Sequence, residues 1–174
     1  PISVAIPSSM TDIIMKKIYK SINQIINHFP FLKSCIFFLS KFCPWVIGIF
    51  YALFVLKLYL EFGTNQMLHF LYIPFVVALI CLCLRLTIKR KRPWEKYHFA
   101  PVDDKNRTGH SFPSVHVGLA LAITLCVIPY GPNMSLLLMT MTIVVILTRL
   151  LTGMHYISDI CFSIVLAYLI YYLL

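Results

Sequence analysis

Charged residues are scarce in this sequence, and acidic ones most of all. Of 174 residues only 12% are charged, and six of these are Asp or Glu. A soluble domain carries about a quarter charged and about half apolar residues. Here 60% are hydrophobic and the mean hydropathy is +0.85. A water-facing sphere of this size cannot hide so much apolar surface. Disorder, which needs low hydrophobicity and high charge, is excluded. The few acids form no carboxylate cluster suited to Mg²⁺, since Asp103 and Asp104 are simply adjacent in a loop. The six cysteines include no C-x-x-C spacing, so neither a zinc site nor a disulfide is expected. The net charge of +9 does not make a nucleic-acid binder, because the basic residues are few and bracket apolar runs. What remains is an integral membrane protein with a single domain over 1–174.

A spanning helix needs about 20 mainly apolar residues. Five stretches qualify, at 44–60, 65–88, 113–130, 133–151 and 155–174. The expected fold is all-α, an integral membrane helix bundle of about five transmembrane helices over 44–174. A tight turn from Pro129 to Pro132 joins the third and fourth spans as a hairpin, and Gly153 separates the fourth from the fifth. Pro113 suits a first helical turn, and Pro74 predicts a kink within the second span. The stretch 31–42 fits either an extension of the first span or a segment re-entering the surface.

The N-terminal stretch 9–29 has a different pattern. Met10, Ile13, Ile14, Ile18, Ile22, Ile25, Ile26 and Phe29 recur at helical spacing, while Lys16, Lys17, Lys20, Asn23, Gln24 and Asn27 fill the remaining positions. Ser9 and Asp12 have capping-box spacing, with Asp in the usual Glu or Gln position. Pro30 ends the helix. Its polar face is too wide to cross a bilayer, which predicts an amphipathic helix in the interface or one packed on the water-facing ends of the spans. It lacks the compact apolar core and small-residue cleavage site of a signal peptide. If the spans alternate sides, fourteen of the fifteen lysines and arginines fall at one face and Lys57 alone at the other.

Three polar groupings collect at the basic face. The first is Arg85 to Pro93, in which Arg85, Lys89 and Arg92 would share one side of a continuing helix. Snorkelling or contact with anionic lipid equally explains Lys89, Arg90 and Lys91. The second runs from Gly109 to His116 and opens a span, where unpaired N–H groups and the positive dipole end attract an anion. There a Ser114 hydroxyl can donate to a phosphate oxygen, and His116 can exchange a proton with a bound group. The third comprises Arg149, Gly153, His155 and Asp159. A carboxylate four residues after a histidine can hold one ring nitrogen and leave the other as a nucleophile. An acid inside a span is costly, which marks Asp159 as functional.

Together the groupings resemble the type 2 phosphatidic acid phosphatase (lipid phosphate phosphatase) superfamily, whose signature reads K-x6-R-P, P-S-G-H and S-R-x5-H-x3-D. The corresponding residues are Arg85 with Arg92 and Pro93, then Pro113 to His116, then Thr148 and Arg149 with His155 and Asp159. The order and spacings agree over 85–159, and the flanking residues look like small bacterial members. Arg85 stands for lysine, Val115 for glycine and Thr148 for serine. The resemblance implies metal-independent dephosphorylation of a membrane lipid phosphate or diphosphate, with no cofactor. His155 would form a phosphohistidine, Asp159 would orient it, and His116 would protonate the leaving oxygen and then activate water. Arg85, Arg92, Ser114, Arg149 and the Val115 N–H would bind the phosphoryl group. Lys89, Lys105, Arg107 and His110 are candidate head-group ligands, and Trp94, Tyr97 and Phe99 suit an interfacial anchor.

The expected partner is a phosphorylated lipid in the bilayer: phosphatidic acid, phosphatidylglycerol phosphate, undecaprenyl diphosphate or a lipid A phosphate. A lipid phosphotransferase with the same nucleophile and a non-catalytic anionic-lipid-binding membrane protein are the alternative functions. The resemblance implies a bacterial cytoplasmic membrane with an outward-facing site. The positive-inside rule points the basic face to the cytoplasm instead.

Overall fold

The structure, a computed structural model, describes residues 10–102 and 110–174. Within them the chain forms seven α-helices and no strand. These are α1 (Met10–His28), α2 (Pro30–Phe62), α3 (Thr64–Thr87), α4 (Pro93–Tyr97), α5 (Val115–Val127), α6 (Pro132–Leu151) and α7 (Ile157–Leu173), with a 3-10 turn at Ile128–Tyr130 between α5 and α6. Pro30, Pro93 and Pro132 each open a helix, where the missing N–H would have had no acceptor.

The bundle consists of α2, α3, α5, α6 and α7. Helix α2, the stretch Phe70–Thr87 of α3, and α6 are each long and apolar enough to cross a membrane, and α5 and α7 are shorter apolar helices. The first span begins at Pro30 rather than at 44, so 31–42 extends it, and 33 residues give a helix of about 50 Å. That exceeds a hydrocarbon core of about 30 Å, a length accommodated by tilt or by turns outside the core.

Helix α5 is the centre of the core. From Ala120 to Val127 every residue is buried, and α5 packs on α3, α6 and α7. Close approach depends on Gly118, where an added Cβ would lie 3.2 Å from the Val77 side chain and 3.5 Å from the Cys81 sulfur. Thr124 and Thr142 join α5 to α6 through a buried hydroxyl pair at 2.9 Å. Outward faces are strongly apolar, with Trp45 and Leu53 among the exposed side chains of α2. In a bilayer such faces meet lipid, and the helices satisfy their own backbone groups.

Two prolines interrupt this self-sufficiency in the same way. Pro44 and Pro74 lie inside α2 and α3, and neither has an N–H for the carbonyl four residues earlier. Each freed carbonyl is taken by a side chain from another helix. The Arg149 guanidinium donates to the Ser40 carbonyl at 2.9 Å, and the Tyr51 hydroxyl donates to that of Phe70.

Helix α1 caps the end of the bundle where α3 and α6 finish and α5 and α7 begin. Tyr19, Asn23 and Ile26 are buried against it, while Ile14, Ile18 and Ile25 remain about half exposed. One face therefore packs on the bundle, the second of the two expectations, and another presents an exposed apolar edge. Asn23 donates to the Ala100 carbonyl at 2.8 Å, and Asp12 pairs with Lys96 at 2.7 Å. Ser9, Lys105 and Arg107 lie outside the described residues.

Candidate active site

The site is assembled from chain segments just outside the helices. Helix α3 ends at Thr87, so 88–92 is not helical, and Arg85, Lys89 and Arg92 do not form the helical face expected of them. Instead 88–92 runs beside the entry to α5: the Ser111 N–H donates to the Arg90 carbonyl at 2.8 Å. Lys89 and His110 flank that bond, Lys89 exposed and His110 half-buried. Arg85, in the last turn of α3, reaches back and donates to the Pro113 carbonyl at 2.7 Å. Arg92 is buried and donates to the Met154 sulfur at 3.3 Å, next to His155.

Helix α5 begins at Val115, two residues later than expected, with Ser114 as N-cap. The Ser114 N–H is held by the Ser163 hydroxyl at 2.9 Å. Its own hydroxyl is wholly buried and makes no hydrogen bond, and the same is true of Arg85 Nε. Buried donors without acceptors are rare in a finished fold and fit a site made for an anion. The first-turn N–H groups of α5, beginning with Val115, add donors that no helical carbonyl can satisfy.

His155 precedes α7 and does not lie on it. Gly153 makes this turn with φ +69°, and an added Cβ would meet the Phe99 ring at 2.7 Å. The imidazole is 3% exposed. Its Nδ1 lies 2.6 Å from the Ser111 carbonyl and 3.8 Å from Asp159 Oδ2. A carbonyl can only accept, so Nδ1 carries the proton and Nε2 keeps its lone pair. The hydrogen bond expected from Asp159 is therefore made by the backbone of 111. Burial lowers the His155 pKa; the adjacent Asp159 carboxylate opposes that shift, and the Arg85 and Arg149 guanidiniums reinforce it. The ring is held neutral.

Asp159 is fully buried. Its Oδ2 accepts the Tyr156 N–H at 2.9 Å, and its Oδ1 accepts from Arg90 at 2.5 Å. Arg90 also donates to the Ser158 hydroxyl at 2.8 Å and lies 4.0 Å over the Tyr156 ring. Sequence reasoning treated Arg90 as a surface cation. Its partners stand more than 60 residues away, and only its place two residues before the Arg-Pro pair could have hinted otherwise.

His116, in the first turn of α5, and Arg149, at the end of α6, line one hollow of about 90 Å³ together with Ser40, Lys41, Pro44 and Trp45. Both histidines thus stand at the same end of the bundle. Two of the three aromatic residues expected as membrane anchors are used internally: Tyr97 is buried among Tyr19 and Tyr156, and Phe99 packs on the same cluster, while Trp94 is half-buried. Among the described residues, no three His, Cys, Asp or Glu side chains gather as they would to hold a metal.

A bundle of five apolar helices, with three stretches long and apolar enough to cross a bilayer, defines an all-α integral membrane protein. The model of the PAP2 superfamily matches residues 66–174, more than half of the chain, and the protein belongs to that superfamily. Among solved structures it is similar to the crystal structure of the transmembrane PAP2-type phosphatidylglycerolphosphate phosphatase from Bacillus subtilis. The match has a TM-score of 0.75 and 18% identity, and covers 96% of this chain and 85% of that one. No curated protein matches the sequence.

Proposed function

We propose that this protein dephosphorylates a membrane lipid phosphate or diphosphate without a metal, through a phosphohistidine on His155, as one catalytic domain spanning 1–174. The observation that carries the reading is the buried imidazole with its Nδ1 proton committed to the Ser111 carbonyl. Its second nitrogen is left as a nucleophile among Arg85, Arg92 and Arg149. Superfamily membership supports the phosphatase class.

In the first half-reaction His155 Nε2 attacks phosphorus and the ester P–O bond breaks. The departing oxygen takes a proton from His116. Neutral His116 then removes a proton from water, hydroxide attacks the phosphorus, and the P–N bond breaks to return His155 and inorganic phosphate. Phosphoryl transfer of this kind depends mainly on positioning and charge stabilisation. Arg85, Arg92, Arg149, the Ser114 hydroxyl and the Val115 N–H supply that stabilisation in this reading, which assigns Lys89 and His110 to a larger head group. Asp159, 3.8 Å from the ring, stabilises the positive charge that the imidazole acquires. The lipid tails enter between spans from a bacterial cytoplasmic membrane, with the site on its outer face.

The test is release of inorganic phosphate in EDTA from phosphatidic acid, phosphatidylglycerol phosphate, undecaprenyl diphosphate and a lipid A phosphate. At least one is expected to turn over, with an acid-labile phosphoryl group on the wild type and none on His155→Ala. Unchanged turnover in His155→Ala would overturn the mechanism. Release only when an alcohol acceptor is added would identify a phosphotransferase.

A further inference from the structure

Helix α1 carries three faces with distinct surroundings. One is buried on the bundle through Tyr19, Asn23 and Ile26, and a second presents Ile14, Ile18 and Ile25 outward. The third, with Lys16, Lys17 and Lys20, forms one wall of a groove of about 620 Å³ whose other wall is Lys96 and Tyr97 on α4. Asp12 is the one acid among the described residues lining the groove, and Lys96 neutralises it at 2.7 Å. Three cations therefore face a water-accessible groove beside an apolar helix edge, at the end of the bundle where the spans terminate.

We infer that this groove binds the phosphodiester head group of an anionic glycerophospholipid that is not the substrate, and that its occupancy seats α1 over the active site. The charge of the groove matches such a head group, and the isoleucine edge sets α1 at the depth where head groups lie. The link to chemistry is direct: the Tyr19 hydroxyl donates to the His155 carbonyl at 3.2 Å, and Tyr19 stacks on Tyr97 at a centroid distance of 6.0 Å. An anion held between α1 and α4 keeps Tyr19 of α1 seated against Tyr97 of α4 and within reach of the His155 carbonyl. The coupling rests on the phosphatase reading; the binding does not.

Quenching is read on the full chain with Trp45→Phe, which leaves Trp94 on α4 as the fluorophore, and turnover on the full chain with Trp45 in place, both in phosphatidylcholine vesicles. Brominated phosphatidylserine at a fixed mole fraction is compared with brominated phosphatidylcholine as quencher, and turnover of a lipid phosphate is measured with and without unbrominated phosphatidylserine. The Trp45→Phe chain should be quenched preferentially by the serine lipid, and wild-type turnover should rise about threefold or more. The triple variant Lys16→Gln, Lys17→Gln, Lys20→Gln should lose both effects yet keep the phosphatidylcholine rate. Lys33→Gln, an exposed cation on α2, should lose neither. Equal phosphatidylserine dependence in wild type and triple variant would overturn the proposal. So would reproduction of the activation by millimolar inorganic phosphate, which would make the groove a site for soluble anions. Absence of turnover in every vesicle, with selective quenching intact, would sink the phosphatase reading and leave the lipid site standing.

Discussion

At His155 two requirements meet, a free ring nitrogen and a neutral ring, and both follow from burial against a carbonyl. Its pKa in the fold lies below the ordinary 6.5. The unfolded chain therefore takes up the proton first as pH falls. Stability from this group is complete above about 6.5 and is lost as pH drops towards the lowered value. The nucleophile is correspondingly retained: phosphoenzyme formation in single-turnover experiments should stay flat from neutrality down through pH 6.5 and decline only below it. A midpoint at or above 6.5 would mean the ring is not desolvated as described. Arg90 gives a second prediction. Arg90→Gln removes the charged partner of a fully buried carboxylate, a loss of about 1.5–3 kcal/mol in unfolding free energy. It should also lower kcat/KM by about 10- to 100-fold, as loss of a group that orients catalytic side chains does. The exposed neighbour Lys91→Gln should do neither. The residue types and spacings of the site were legible in the sequence, because a nucleophile, an acid and anion ligands restrict which side chains can serve. Arg90 and the Ser111 carbonyl were not. The first looks like any boundary cation, and the second is a backbone atom present at every position.

At the scale of elements, hydropathy located the spans but misplaced their ends. The basic run after Thr87 reads as more helix, although the chain there leaves the helix to pair with Ser111. The stretch 31–42 was ambiguous because Pro44 looks like a boundary, whereas in the fold it is an interior residue whose missing N–H has a use. A proline inside a helix costs about 3 kcal/mol relative to alanine. Here that cost exposes the Ser40 carbonyl for Arg149, a phosphate ligand in the proposed mechanism. Pro44→Ala restores an N–H that competes for that carbonyl. The variant should melt at a higher temperature than wild type yet show a several-fold higher KM, with kcat changed less. Higher stability with an unaltered KM would show that Arg149 needs no such anchor. Gly153 fails in the opposite direction. Alanine there would be strained by about 1–2 kcal/mol at positive φ and would also push into the Phe99 ring at 2.7 Å. Thermal unfolding in detergent should show the loss, and turnover should fall with it because the same turn carries His155.

For the whole molecule the open geometric variable is which way the bundle faces. Among the described residues, the candidate site groups and twelve of the thirteen lysines and arginines belong to one end, while Lys57 stands at the other and pairs with Glu61 at 3.6 Å. The positive-inside rule counts cations free to interact with the cytoplasmic side during insertion. Arg92 and Arg149 are buried on protein acceptors, and Arg85 is bound to the Pro113 carbonyl. Those three are held by protein acceptors and weaken the bias without reversing it. The proposed outward site therefore opposes the remaining charge, and a labelling experiment separates the two. In a background lacking the six native cysteines, Lys91→Cys and Lys57→Cys place single thiols on exposed side chains at the two ends. An outward site predicts that an impermeant maleimide labels position 91 in intact cells and reaches position 57 only after permeabilisation. The reverse pattern would place the phosphatase on the cytoplasmic leaflet and limit its substrates to lipids phosphorylated there. Labelling of both in intact cells would contradict the odd number of crossings between them and the bundle itself.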